Sequence, residues 1–283
     1  LAAICAIAIF LTWAVYFFPI DPIFYIEGMS TVKADKSHSF PFYLMGEFKP
    51  GGWLYYFIAA FLLKTQAPIL ILLLASLIFF RKLRKSWKDE LFLLLPVLAF
   101  TTIVSLRAAN IGVRYLLPIY PLLFIFISRM ALCLSQNRLY SFFFIILFFW
   151  QTISLSRVWP DYIGYFNEFV GGPAKGPFYL DDSNVDWGQN LILLKRYMTE
   201  RNLQSVKLET GPLSAPEYYG IPFTPVSESD WTQKPSPGTY IINTNVLIRR
   251  VLQSRMTGVP SDWLYRYEPV DRIGTGFYVY EFR

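Results

Sequence analysis

Charged residues and histidine are scarce in this chain of 283 residues. Asp, Glu, Lys and Arg make up 16% of it, whereas soluble domains usually carry about 25%. A Ser-His-Asp triad would depend on His38, the one histidine, and no GxSxG segment accompanies it. CxxC, HExxH, P-loop and GxGxxG patterns are absent too, so no motif indicates a zinc, nucleotide or dinucleotide site. The sequence does not identify a cofactor, and a divalent metal is one option.

The two cysteines and the first residues exclude two further classes. Cys5 and Cys133 both lie in apolar segments, so they form neither a disulfide framework nor a metal site. The chain begins inside an apolar run without an initiator Met. It has neither the basic region nor the cleavage site of a signal peptide. We therefore expect it to be part of a longer protein.

Long apolar runs are what the sequence has instead, because 54% of its residues are hydrophobic. About 20 apolar residues cross a bilayer, and we predict about five spans. They fall in Leu1–Ile20, Trp53–Phe80, Leu91–Leu106, Tyr115–Leu134 and Leu139–Leu155. Lys64 and Pro68 interrupt the second run, which predicts an interfacial or re-entrant helix at Trp53–Leu63 and a spanning helix at Pro68–Phe80.

Charge asymmetry predicts the orientation. Residues 1–156 hold 13 Lys and Arg against 6 Asp and Glu, whereas residues 157–283 hold 13 against 14. The basic cluster Arg81–Lys85 marks a cytoplasmic turn, and this distribution argues against nucleic acid as a partner. We therefore predict a multi-pass membrane protein. Residues 1–159 form its transmembrane region, with an outer loop at 21–52, and residues 160–283 form an extracytoplasmic domain.

The C-terminal residues alternate helix and strand patterns, which predicts a small α/β domain with a mixed sheet. Asp186 and Gln189 have the spacing of a capping box, which predicts a helix from Asp186 to about Arg201. A second helix is predicted at Val246–Met256. Strands are predicted at Ser205–Thr210, Gly238–Asn243, Arg266–Pro269 and Gly276–Phe282.

Three basic residues at predicted outer helix ends are candidate phosphate ligands. Lys64, Arg107 and Arg114 lie where a lipid phosphate would meet the membrane surface, and Arg binds phosphate oxygens in bidentate fashion. The alternative is that these side chains only anchor the helices at the interface. His38 and Glu47 in the outer loop, with Tyr115 beside Arg114, are candidate substrate-binding residues.

Asp182, Asn184 and Asp186 alternate as in a calcium-binding loop. However, the required glycine comes one position late at Gly188, and Leu193 stands where a ligating Glu is needed. Hydrogen bonds within the loop explain the pattern better, so no metal site is assigned.

Several segments, in order, resemble those of bacterial membrane glycosyltransferases related to protein O-mannosyltransferases and aminoarabinose transferases. Gly52–Phe57 followed by Lys64–Pro68 resembles their "GWWYYF…KTP" segment, and Asn110–Pro121 resembles "GxRYLLPxYP". Tyr165–Gln189 looks like "FNE…GGP…DSNxDWGQ", and Tyr267–Gly274 is similar to their C-terminal ending. The similarity covers residues 38–283.

This resemblance implies a C-type glycosyltransferase fold and sugar transfer from a polyprenyl-phosphate donor on the outer face of the membrane. Membrane lipids and a glycan, lipid or protein acceptor would be its partners. The catalytic carboxylate of such enzymes lies in a loop upstream of this chain, so no catalytic residue is carried over. Two other classes stay open: a transporter or flippase-like membrane protein, and a membrane-anchored glycan-binding module.

Overall fold

The computed structural model describes residues 2–15, 40–83, 86–133, 138–211 and 214–283. Helices make up the N-terminal half of the described chain. A segment of short 3-10 turns at residues 161–190, named the connecting segment, then leads to a five-stranded sheet. The helices of the first half are α1 (Ala2–Val15), α2 (Tyr56–Lys64), α3 (Ala67–Ile78), α4 (Phe80–Leu83), α5 (Trp87–Arg107), α6 (Tyr120–Ser128) and α7 (Arg138–Val158).

Three helical segments of the described chain are long and apolar enough to cross a membrane. They are α5, α7 and the segment Val113–Leu132, in which 3-10 turns flank α6. Large apolar side chains on these helices are exposed, including Phe92 and Phe148. Because burial of such side chains is favourable, lipid is the environment that suits them. The prediction of membrane-spanning helices is confirmed to this extent.

Helices α2 and α3 are the interrupted run, and they meet at an angle of 114°. Thr65 and Gln66 have extended backbones between them, and Pro68 lies in the first turn of α3, where its missing N–H costs no hydrogen bond. Counted together as one span, they bring the total in the described chain to four. Helix α1 has 14 residues, and the rest of the predicted span Leu1–Ile20 lies outside the described residues.

A buried ion pair joins the first turn of α5 to the C-terminal end of the segment Val113–Leu132. Arg129 donates to both carboxylate oxygens of Glu90, at 2.8 and 2.6 Å. The side chains are 10% and 9% exposed, and the guanidinium lies 3.8 Å from the centre of the Phe126 ring. Because Glu90 and Arg129 are 39 residues apart, the sequence does not identify them as partners.

Part of the predicted outer loop forms a β-hairpin. Strands β1 (Pro41–Leu44) and β2 (Glu47–Pro50) pair antiparallel. Met45 and Gly46 between them both have positive φ, as a tight two-residue loop requires. The Met45 amide donates to the Tyr179 carbonyl at 2.8 Å, so the hairpin packs on the connecting segment.

The C-terminal sheet has the order β4-β3-β5-β7-β6 and is mixed, as predicted. Its strands are β3 (Val206–Glu209), β4 (Phe223–Pro225), β5 (Gly238–Asn243), β6 (Asp271–Ile273) and β7 (Phe277–Phe282). Strand β3 pairs parallel with β4 and β5, whereas β7 pairs antiparallel with β5 and β6. The helices from residue 161 onward are α8 (Gly172–Lys175), α9 (Leu191–Glu200), α10 (Glu228–Thr232), α11 (Thr244–Thr257) and α12 (Trp263–Arg266).

One predicted strand of this part is wrong, and one predicted helix begins later than expected. The predicted strand at Arg266–Pro269 is absent. Trp263 is fully buried against Trp231 and Tyr240, and this burial holds Trp263–Arg266 in helix α12. The helix predicted to start at Asp186 begins at Leu191. The Asp186 carboxylate does not cap its first turn but accepts hydrogen bonds from Asn190 and Asn243.

The connecting segment belongs to the core of the helical region. Phe166, Leu180 and Val185 are buried in one cluster with Tyr56 and Phe57 of α2. Two further clusters lie on the sheet, one with α9 and one rich in aromatic rings around Trp263. Burial of these side chains links the helices to the sheet and so positions the residues described next.

Candidate functional site

Asn184 connects the two segments that carry the predicted phosphate ligands. Its amide oxygen accepts a hydrogen bond from the Val113 N–H at 2.9 Å, and its amide nitrogen donates to the Tyr56 hydroxyl at 2.9 Å. The side chain is fully buried. Since Val113 precedes Arg114 and Tyr56 begins α2, this one amide sets the position of both segments.

Lys64 points into the same junction. Its ammonium donates to the backbone carbonyls of Ile163 at 2.7 Å and Asn184 at 2.6 Å, and it lies 4.2 Å from the centre of the Phe166 ring. An ammonium has three donors, so two are already used within the protein. Lys64 therefore stabilises the connecting segment.

Arg114 is exposed at the first turn of the span Val113–Leu132. Its guanidinium lies 4.6 Å from the centre of the Trp187 ring and 5.5 Å from that of Tyr115. Stacking holds the plane of a guanidinium while its N–H edge stays available to an anion. The Tyr115 ring also packs edge-on against Phe57, so this candidate substrate residue is partly a core residue.

The other predicted site residues lie elsewhere. Arg107 ends α5 and lines a separate pocket of about 190 Å³ with Trp53 and Asn110. Glu47 is exposed at the start of β2. His38 lies outside the described residues. The structure thus brings Lys64, Arg114 and Tyr115 to one junction and separates Arg107 and Glu47 from it.

A cleft of about 440 Å³, named the Trp187 cleft, opens beside Arg114 and reaches the sheet domain. Its polar lining comes from the connecting segment, from the end of β5 and from α11. The lining residues with functional groups include Asp182, Asp186, Trp187, Asn243, Asn245 and Arg249. None of these six residues was predicted to bind a substrate, although most lie in segments whose sequence is typical of turns or helix caps.

Asn245 holds Asp182 in an unusual backbone conformation. Asp182 has a φ of +57°, in the left-handed region that Asp tolerates better than most residues. The Asn245 amide accepts from the Asp182 N–H at 2.8 Å and donates to its carbonyl at 3.3 Å. Burial raises the pKa of the Asp182 carboxyl, while the nearby charges of Arg249 and Arg114 lower it. The carboxylate itself accepts the Ser183 N–H at 2.6 Å.

Asp181, the preceding residue, is buried behind the cleft. Its Oδ2 lies 2.6 Å from Arg249 Nη2, and Arg249 also donates to the Pro41 carbonyl. Burial raises the pKa of the Asp181 carboxyl to about 7, against the opposing effect of Arg249. The pair positions the guanidinium at the cleft wall.

Asp181→Asn is expected to flatten the pH dependence of stability. The folded state retains a proton on Asp181 that the unfolded chain loses near pH 4. Folded-state stability therefore falls as the pH rises from about 4 to about 7. From pH 5 to 7 we expect wild type to lose roughly 2 kcal/mol more than the variant. Thermal unfolding in detergent at both pH values measures this difference in stability. Equal losses in wild type and variant from pH 5 to 7 would contradict the prediction.

The acidic loop has the contacts of a structural turn. Asn184 has both amide atoms occupied, and the Asp186 carboxylate accepts from Asn190 and Asn243. In the part of the chain that the structure describes, no group of three or more His, Cys, Asp or Glu side chains could hold a metal ion. The side chains of Asn184 and Asp186 thus connect this loop to distant parts of the chain.

No family model, curated protein or solved structure matches this chain. The resemblance to membrane glycosyltransferases therefore depends on the motif residues themselves, among them Arg114 and Trp187, and on where they lie. A guanidinium suits a phosphate, and carboxylate and amide groups suit sugar hydroxyls. An indole offers a flat apolar surface. The Trp187 cleft combines all three next to a membrane-spanning helix.

Proposed function

We propose that this chain is the C-terminal part of a polyprenyl-phosphate-sugar-dependent glycosyltransferase that acts on the outer face of the bacterial inner membrane. The observation that carries the proposal is the position of Arg114. It lies at the first turn of an apolar span and contacts the ring of Trp187, which lines a cleft with carboxylate and amide groups in its wall. A lipid-linked sugar phosphate has the same order of parts: an apolar tail, an anion and a polyhydroxyl ring.

In this proposal the polyprenyl tail lies along the exposed apolar side chains of the span, such as Leu117 and Phe124. Arg114 binds the phosphate and stabilises the charge that develops on it as the sugar leaves. Lys64 supports Arg114 indirectly through Asn184. The Lys64 ammonium donates to the Asn184 backbone carbonyl, and the Asn184 side-chain oxygen accepts from the Val113 N–H. The sugar enters the Trp187 cleft, where Asp182 accepts its hydroxyl hydrogens. The base that activates the acceptor is expected upstream of this chain.

The charge pattern supports the proposed orientation. The basic residues at 81–85 precede α5 and Lys88 lies in its first turn, whereas Arg107 ends it. Positive residues favour the cytoplasmic side, which leaves Arg107, Arg114 and Arg157 at the outer ends of their helices. The connecting segment and the sheet domain follow Arg157, and the proposal therefore places them outside the cytoplasm.

Of the two alternatives, the transporter predicts paired ionisable groups in mid-span. The one buried pair in the described helices, Glu90 with Arg129, involves the first turn of α5. A membrane-anchored glycan-binding module would use the Trp187 cleft but would not need Arg114 for a lipid phosphate. Binding of the lipid therefore separates this module from the transferase.

Arg114→Ala is expected to weaken binding of a short-chain polyprenyl phosphate by at least about tenfold. A charge-assisted hydrogen bond contributes roughly 1.5–3 kcal/mol, and 1.4 kcal/mol corresponds to a factor of ten. Binding would be measured for the full chain in nanodiscs that contain neutral lipid. Arg107→Ala is the matched control, because it removes the same charge from another pocket at the same end of the helices. Equal effects of the two substitutions, or none, would refute the assignment of Arg114.

A further inference from the structure

A second cleft lies on another side of the junction between the helices and the sheet. It has a volume of about 340 Å³, and its walls come from the end of α7, from α8 and from strands β6 and β7. We name it the Arg272 cleft. Arg157, Trp159, Arg272 and Tyr278 line it, and none of them lines the Trp187 cleft.

The charge of this cleft is positive. Arg272 is exposed, lies 4.3 Å from the centre of the Tyr278 ring and donates one N–H to the Ala174 carbonyl at 2.6 Å. Arg157 is exposed in the last turn of α7. The one acidic residue of the lining, Asp161, already accepts from the Thr275 N–H at 2.8 Å and from Gln189 at 3.2 Å. Its carboxylate is thus turned to the protein, whereas two guanidinium groups keep free donors.

Tyr278 adds an unused donor. Its side chain is 3% exposed, and its hydroxyl has no hydrogen-bond partner in the part of the chain that the structure describes. Burial raises the pKa of this hydroxyl, so it keeps its proton at neutral pH. A buried polar group without a partner is unfavourable. A ligand oxygen in the cleft would supply the missing acceptor.

The position of the cleft indicates where the ligand comes from. Its lining includes Val158, the last residue of α7, and Trp159 and Pro160, which follow it directly. Trp159 is 67% exposed and Tyr162 is 53% exposed, as in the aromatic belts at membrane surfaces. Because α7 is long enough to span a membrane, its end lies at the level of lipid headgroups.

We propose that the Arg272 cleft binds the phosphate of an anionic membrane phospholipid. Arg157 and Arg272 contact the phosphate oxygens, and the Tyr278 hydroxyl donates to one of them. The acyl chains lie against exposed apolar side chains of α7 such as Phe149 and Ile153. This site is separate from the donor site and does not depend on the proposed transferase function.

The test is binding of a short-chain phosphatidylglycerol to the full chain in a neutral detergent. Phosphatidylcholine and inorganic phosphate serve as comparison ligands. We expect wild type to bind phosphatidylglycerol about tenfold more tightly than phosphatidylcholine. Arg157→Gln with Arg272→Gln should remove this preference, since both charge-assisted contacts are lost. Tyr278→Phe, which keeps the ring, should weaken binding about threefold or more. Arg196→Gln, an exposed cation paired with Glu200, is the control.

Equal affinity for the two lipids, or a preference that survives the double substitution, would overturn the proposal. If inorganic phosphate binds as tightly as phosphatidylglycerol, the cleft recognises phosphate alone, and the assignment of a lipid as its ligand is refuted. If the double variant does not fold, the single variants Tyr278→Phe and Arg157→Gln test the proposal, and unchanged phosphatidylglycerol binding in both would refute it. Loss of phosphatidylglycerol binding in Arg196→Gln would show a general charge effect and would also contradict the site.

Discussion

Glu90→Ala is expected to destabilise the helical region by about 3–5 kcal/mol. The substitution leaves the Arg129 guanidinium, whose side chain is 10% exposed, without its carboxylate. Among the described residues, the other contacts of Arg129 are the Phe126 carbonyl and the faces of Phe80 and Phe126, and these do not neutralise the charge. Unfolding in detergent micelles, followed by tryptophan fluorescence or by aggregation on heating, measures the loss.

A double substitution distinguishes a buried ion pair from simple packing. Glu90→Leu with Arg129→Met removes both charges and keeps most of the volume, so it is expected to cost much less than Glu90→Ala alone. Lys88→Ala, an exposed residue in the same first turn of α5, should change stability by less than about 0.5 kcal/mol. If Glu90→Ala were as mild as Lys88→Ala, the pair would not be the buried contact described above.

Asn184→Ala is expected to cost about 2–6 kcal/mol and to weaken polyprenyl-phosphate binding as well. It leaves the Val113 N–H and the Tyr56 hydroxyl without their partner, and each buried unsatisfied group costs about 1–3 kcal/mol. The turn that carries Arg114 also loses its connection to the connecting segment. Stability is measured by thermal unfolding, and binding by the nanodisc experiment described for Arg114.

Two further variants isolate the role of the Asn184 amide. Ser183→Ala removes one hydrogen bond, from the Ser183 hydroxyl to the Ile111 carbonyl, and should cost about 1 kcal/mol. Tyr56→Phe removes one partner of Asn184, so Asn184→Ala and Tyr56→Phe together should cost less than the sum of the two. Fully additive losses would indicate that the two side chains are not coupled.

Helix and strand positions followed closely from the sequence wherever the pattern was local and strong. The predicted spans Leu91–Leu106 and Leu139–Leu155 correspond to α5 and α7, because a long apolar run suits a helix whatever surrounds it. Predicted strands at Gly238–Asn243 and Gly276–Phe282 correspond to β5 and β7. Predictions failed at Asp186 and at Arg266–Pro269, where side-chain contacts with distant residues outweigh the local signal.

The site was only partly predictable. The basic residue types and their helix-end positions pointed to Lys64, Arg107 and Arg114 alike. Only distances in space distinguish them: Lys64 binds two carbonyls of the connecting segment, Arg107 lines its own pocket, and Arg114 lies at the Trp187 cleft. The acidic and amide lining of that cleft comes from residues about 60 positions apart, such as Asp182 and Asn245, so no sequence window contains it.

The sequence alone determined that this protein has several helices long and apolar enough to span a membrane, followed by a mixed α/β domain. Hydrophobic runs and alternating patterns act through nearest neighbours, and each element can be recognised without the others. Tertiary structure alone decided which charges are paired and which are free. Glu90 meets Arg129 and Asp181 meets Arg249, whereas Arg114 keeps an exposed edge. Pairing depends on a few ångströms between residues far apart in the chain, and only the packed fold sets those distances.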